Sequence, residues 1–432
     1  MLRIAAKLSS RASSTAKSFP ISCTRISPLP SPSFRSFTIG LELEANMVVP
    51  DAIRMINYAL KQARTERSLG AYRMGLTVLK HCITTELTEG KDPVRENSKG
   101  MALLAMSTLL SERGEYGEAI EKLDGVQDLT NSYLGVRVAA FEAQAGFHLE
   151  LGKDDLASVV ADKCIDLVEK QPQARDHEAQ YVRAKALKGL IELVNGNIES
   201  AEAFFDKSLC DKHGDGTAAV SYAEFLQIKQ DYSLARQVYR NVLQGAIEIK
   251  KAGRPYLGAG NLNLEGLTIG AMCSLGQLES YMGNFRNAEI YLTQALEKAE
   301  ENYDPHHPKV GIVLTSIAFM YGRKAIQEGS SALLIQEGLY RKVIDILKVP
   351  PMETKSEEGA APSVDRSDIA AFARVAYAEV LGVQENRKAE GEEMKKLAEA
   401  IWKNRRLSLA DALGNNDSNK TMVIDARISR LL

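Results

Sequence analysis

A six-residue phrase, Gly-x-x-x-x-Ala, recurs down the chain, and each copy implies the same local geometry. The copies run from Gly114 to Ala119, Gly152 to Ala157, Gly196 to Ala201 and Gly283 to Ala288, and a fifth, ending at Ala235, has Gln230 in the glycine position. Glycine enters positive φ without a Cβ clash, so it can end one helix. A residue such as Glu115, Asn197 or Asp231 then starts the next, and the alanine lets two antiparallel helices approach closely. Four residues past each alanine comes an apolar residue to fill the gap: Leu123, Ala161, Phe205, Tyr239 and Leu292. Three further on stands a second, mostly small one: Cys164, Ser208 and Ala295, more loosely Val126 and Val242. Each unit reads as helix, turn, helix, a module that buries its apolar face only by stacking on its neighbours.

The best unit adds Leu275 and Gly276 on its first helix. At these residues the chain resembles the tetratricopeptide repeat family, whose pattern has Leu-Gly on the first helix, Gly at the turn, and Ala then an aromatic on the second. The match is good over residues 269–300 and fair over four other units. Met272 stands where the family has an early Trp, Glu279 where it has a first-helix Tyr, and the closing Pro is displaced to Pro305. Successive alanines lie 38, 44, 34 and 53 residues apart, so several helices or turns are lengthened. Asp304-Pro-His-His-Pro-Lys-Val310, followed by Leu314, Ala318 and Tyr321, resembles the longer repeats of kinesin light chains, with Pro308 suited to a first helical turn. Thr315 and Ser316 stand where those proteins carry paired asparagines, so their peptide-binding chemistry is not carried over.

Weaker units extend the array. Residues 52–86 form a degenerate first unit with Gly70 and Gly75 in the turn and alanine positions, and residues 312–348 a unit whose turn has swollen into RKAIQEGSSALLIQ. A last helix pair, 367–383 and 388–408, places Ala371, Val375, Ala378 and Leu381 on one face. The expected fold is all-α, a right-handed superhelical solenoid of about seven to eight antiparallel helix pairs. The expected organisation is a presequence over 1–37, a linker over 38–51, the array over 52–348, a flexible loop over 349–366, the C-terminal helix pair over 367–410 and a tail over 411–432. The loop is rich in Pro, Ser and Gly breaks. The tail starts polar and ends apolar and basic, able to dock on the array or on a partner, and the sequence does not choose between them.

Residues 1–41 hold six basic residues, many serines and no acid, the composition of an organelle address. On a helix Arg3, Lys7 and Arg11 share one face while Leu2, Ala5 and Leu8 point broadly the other way. Arg35-Ser-Phe37 resembles the Arg-x-Phe processing site of plant mitochondrial presequences, with cleavage after Phe37. The mitochondrial matrix is the expected location, and a chloroplast the alternative. Without those six basic residues the 54 Lys and Arg fall to 48 against 56 Asp and Glu, a net charge of −8 that disfavours binding to a phosphate backbone.

No run of 18 apolar residues offers a membrane span. Phosphate-binding glycine loops, nucleophile elbows and zinc-protease helices are absent, and the adjacent His306 and His307 read as a helix-start turn, so no catalytic, cofactor or metal site is expected. Cys82 and Cys164 fall at small helix-packing positions. Stacked pairs of this kind curve so that first helices line a concave groove, which receives a peptide or helix of another protein. In this register the inward-facing candidates are Arg183, Glu224, Gln277, Tyr281, Thr315 and Phe319. The carboxylate clamp of chaperone-binding members is absent, because its positions include Leu104, Thr108, Glu142 and Ala143. The function these features imply is a non-enzymatic protein-binding scaffold or assembly factor in an organelle; the alternative is an organellar RNA-binding helical-repeat protein.

Overall fold

A computed structural model describes residues 45–86, 92–205, 216–253, 256–329, 333–347, 367–414 and 420–432. The expected presequence, most of the linker, the 349–366 loop, Ser208 and Cys210 lie outside the described residues.

Among the described residues eight helix pairs follow one another. They are α1 (Pro50–Glu66) with α2 (Leu69–His81), α3 (Pro93–Glu112) with α4 (Tyr116–Gln127), α5 (Leu134–Glu150) with α6 (Asp154–Glu169), and α7 (His177–Val194) with α8 (Ile198–Phe204). Then come α9 (Gly216–Ile228) with α10 (Tyr232–Ala252), α11 (Leu264–Tyr281) with α12 (Phe285–Asn302), α13 (Pro308–Glu328) with α14 (Leu333–Leu347), and α15 (Ser367–Gly382) with α16 (Lys388–Ile401). A short α17 (Leu409–Leu413) and a hairpin of β1 (Ile424–Asp425) and β2 (Arg430–Leu431) end the chain. Consecutive helices pack on each other and each first helix also packs on the next first helix. The molecule is an all-α helical-repeat solenoid.

The repeat phrase does what its chemistry implies. Gly114, Gly152, Gly196, Gly283 and Gln230 all have positive φ, and Glu115, Lys153, Asn197, Asp231 and Asn284 follow as N-caps. The five alanines at 119, 157, 201, 235 and 288 have no exposed surface. In the best unit a Cβ on Gly276 would come within 2.5 Å of Leu292 Cγ, so the first helix can meet the second at this depth only with glycine there.

First and second helices differ in kind. On α10 only Ala235, Tyr239, Val242, Ala246 and Ile249 are buried, a single stripe at helical spacing with charged residues opposite. By contrast α9 is buried along its whole length, and α5 everywhere but at Arg137. An inner helix buried all round must be covered on its concave side as well as by its pair.

Several boundaries differ from those the sequence suggests. In the first unit the turn is made by Arg67, at φ 54°, with Ser68 as N-cap, and Gly70 lies inside α2. Arg67 is drawn out by long-range contacts, its guanidinium donating to the Tyr303 carbonyl at 3.2 Å and to that of Glu301. The expected linker is partly folded, since Val48 is buried and Asn97 Nδ2 donates to the Met47 carbonyl at 3.0 Å. Within 323–336, residues 323–328 are helix and not turn, because α13 continues to Glu328 before Gly329 takes φ 61°. The last helix stops at Ile401 and not at 408, where Trp402 turns extended and its indole donates to the Leu407 carbonyl at 2.8 Å.

Candidate functional site

The first helices of the array are covered by two segments of the same chain. Residues 256–263, between α10 and α11, run against α3, α5 and α7: Leu257 and Ala259 are fully buried, the Gly260 amide donates to Thr108 Oγ1 at 2.9 Å, and Asn261 Nδ2 donates to the Gly146 carbonyl at 3.0 Å. Further along lies the C-terminal hairpin, antiparallel with Ile424 opposite Leu431 and Asp425 opposite Arg430. Alternation along a strand sends successive side chains to opposite faces. Val423, with Ile428 and Leu432, accordingly joins the apolar core of α5–α11, while Met422, Ile424 and Ala426, with Leu431, join that of α11–α15. The hairpin is thus the apolar joint between the two halves of the array.

Three of the candidate groove residues hold this hairpin directly. Gln277 on α11 donates to the Ile424 carbonyl at 2.9 Å and accepts from the Ile424 amide at 2.8 Å. One turn on, the Tyr281 hydroxyl accepts from the Met422 amide at 3.0 Å. Glu224 on α9 pairs with Arg427, whose guanidinium also reaches Asp425 at 2.8 Å and the Thr217 carbonyl at 3.2 Å. All three charged side chains of this cluster are without exposed surface. Burial pushes the Glu224 carboxyl well above the ordinary carboxylate range against the pull of Arg427. Burial works to discharge Arg427 too, but Asp425 and Glu224 outweigh it and hold the guanidinium charged.

Arg183 sits deeper, under the 256–263 segment. Its guanidinium binds Glu142 through Nε at 3.1 Å and Nη2 at 2.5 Å, and donates to the Leu257 carbonyl at 3.0 Å. Phe319 packs edge-on against Phe372, with ring centroids 5.5 Å apart, and with Tyr281 it walls a cleft of about 250 Å³ that Arg323, Lys420 and Thr421 also line. Thr315 does not join the others: it is fully buried and its hydroxyl donates to the Gly311 carbonyl of its own helix at 2.8 Å.

The rest of the hairpin is held at both ends. Lys309 at the start of α13 pairs with Glu150 and donates to the carbonyls of Ala426 and Arg427, while Ser429 Oγ donates to Glu150 at 2.9 Å. At the other end Arg406 donates to the carbonyls of Thr421 at 2.6 Å and Leu432 at 2.7 Å. Burial pulls this guanidinium down to about 10, with Tyr281 and Asp411 working against the shift. Sequence reasoning missed Arg427, Asp425, Lys309, Glu150 and Arg406. The signal available for the tail was a short, mostly apolar run with two β-branched residues, MVIDA, in a segment otherwise too short to read as a strand.

His307 is the N-cap of α13, accepting from the Lys309 amide at 3.1 Å, with its ring stacked on Tyr303. Cys82, Cys164 and Cys273 are buried thiols, and burial pushes Cys273 up to about 12. Among the described residues no three His, Cys, Asp or Glu side chains converge as metal ligands, and no helix is long and apolar enough to cross a membrane.

The tetratricopeptide repeat family model matches residues 268–309, the stretch from α11 to the start of α13. No curated protein matches the chain. Among solved structures, the crystal structure of BtubC (BKLC) from P. vanneervenii is similar at 14% identity, with a TM-score of 0.36, covering 63% of this chain and 95% of that one. Residues 268–309 thus carry a tetratricopeptide repeat, set in a helical-repeat solenoid of TPR-like architecture, and repeats of this family usually bind proteins.

Proposed function

We infer that this TPR-like repeat protein is a non-enzymatic protein-binding scaffold or assembly factor that works in an organelle, with the mitochondrial matrix first and a chloroplast second. The observation that carries the reading is the succession of helix pairs described between Pro50 and Ile401, an architecture whose product is extended binding surface. The organelle rests on the sequence alone: the acid-free, basic segment before Glu42 and the Arg35-Ser-Phe37 processing pattern. The acidic balance of the remainder argues against the RNA-binding alternative, and the irregular repeat intervals argue against one base per repeat.

The test is crosslinking of the tagged protein at its natural abundance in intact mitochondria, with crosslinked peptides identified by mass spectrometry. The expected result is a discrete protein partner linked to lysines of the array. Recovery of RNA alone, with tight and salt-sensitive binding in a gel shift, would reverse the ranking. A fusion of residues 1–37 to a fluorescent protein tests the address: the account expects mitochondrial import and loss of it when Arg3, Lys7 and Arg11 become glutamines.

A further inference from the structure

The hairpin is seated as a bound peptide is, and its contacts show what the groove accepts. Gln277, Tyr281 and Lys309 all reach main-chain atoms of residues 422–427, so they hold an extended segment whatever its side chains. Selection is concentrated at Arg427. It crosses α11 at Gly270, where a Cβ would come within 2.5 Å of Arg427 Cγ, and meets Glu224 and the Ser221 hydroxyl, the latter at 3.4 Å. Among the described residues the Glu224 carboxylate also accepts from the Ser274 hydroxyl, at 3.2 Å, a neutral donor, so without an arginine a fully buried carboxylate is left without counter-charge. Asp425 travels with the arginine, accepting from the Arg427 amide at 2.7 Å and steadying the guanidinium from the hairpin's own side.

The array does not depend on this segment for its pair geometry. The pairs that carry the repeat phrase close on their own alanines, with Ala235 and Tyr239 buried on α10 and Ala288 and Leu292 on α12. Stability in stacked repeats comes mainly from such pairs and their immediate neighbours.

We propose that the groove between α9, α11 and α13 is a peptide-binding site filled in cis by residues 420–432. Its occupant in trans is a protein segment of the same chemistry, an extended apolar stretch bearing Asp-x-Arg, whose arginine enters the Glu224 socket as the hairpin leaves. This deepens the protein-binding reading above and rests on it.

The experiment uses the full chain with a protease site inserted between Gly414 and Lys420. After cleavage, residues 420–432 remain as a non-covalent peptide, and a fluorescent synthetic copy is added in excess and followed by anisotropy. The labelled peptide should exchange into the groove while far-UV circular dichroism of the array is unchanged, and an Arg427→Ala peptide should compete at least ~100-fold more weakly. In the uncleaved chain, Glu224→Gln should raise hydrogen exchange at the amides of 422–432 by about tenfold or more and leave α3–α6 unaffected. Two results overturn the proposal: no exchange until denaturant unfolds the whole array, or equal competition by both peptides. A crosslinked partner found on another face, with no exchange here, would sink this proposal and leave the scaffold reading standing.

Discussion

Two buried arginine–glutamate pairs lie along the inside of the solenoid, and they differ in where the arginine comes from. Arg183 and Glu142 both belong to the array, on α7 and α5, and each side chain is 4% exposed. Arg427 and Glu224 join the array to the C-terminal hairpin, and neither side chain is exposed at all. Coulombic attraction in such places is largely offset by desolvation, so neither pair is a large net source of stability. Their importance is conditional: removing one member leaves the other charged and dry. Within the array that defect has no escape, whereas at the hairpin it can be relieved by undocking a thirteen-residue segment, 420–432. The comparison separates a contact that is part of the scaffold from one that is part of its occupancy.

The largest effect is expected where no escape exists. Arg183→Ala should cost roughly 3–5 kcal/mol of global stability, read as a fall in urea midpoint, because Glu142 and the Leu257 carbonyl lose their donor. Arg427→Ala should cost less globally and should show first as rapid hydrogen exchange at residues 422–432; a midpoint shift as large as that of Arg183→Ala would erase the distinction. The glycines repeat the contrast on a smaller scale. Gly276→Ala presses on Leu292 within a helix pair and should lower the melting temperature of the whole array at a cost of about 1–3 kcal/mol. Gly270→Ala presses on Arg427 and should act on hairpin protection with little change in the array's melting temperature.

The smallest effect is in pH. The Glu224 carboxyl is raised by burial, so in global folding its contribution is full below the ordinary carboxylate range and is lost as pH rises through the raised value. Global stability, read as the urea midpoint, should carry a component that declines as pH rises, and Glu224→Gln should flatten that component. An unchanged profile in that variant would place the titrating group elsewhere.

What the sequence made legible was whatever local chemistry decides. Positive φ at Gly114, Gly152, Gly196 and Gly283, the buried alanines after them and the Leu275-Gly276 step all follow from sterics within one helix pair. Register places Glu224, Gln277 and Tyr281 on first helices, where the hairpin reaches them. What covers them was not legible. The first-unit turn at Arg67 depends on carbonyls of Glu301 and Tyr303, and the end of α16 is set with help from Asp368, whose carboxylate accepts from the Lys403 amide at 2.9 Å. The hairpin has strands of two residues each, below any reliable period, and its position depends on Glu150, Glu224 and Lys309, all more than a hundred residues away.

The most direct test of the account is native-state hydrogen exchange on the full chain, read at the amides of Val423, Ile424 and Leu432. They donate to the Leu432 carbonyl, Gln277 Oε1 and the Val423 carbonyl, so a filled groove predicts protection of at least about a thousandfold over an unstructured peptide. Exchange at unstructured rates at these three positions, with α9 and α11 protected, would mean an open groove and contradict the account.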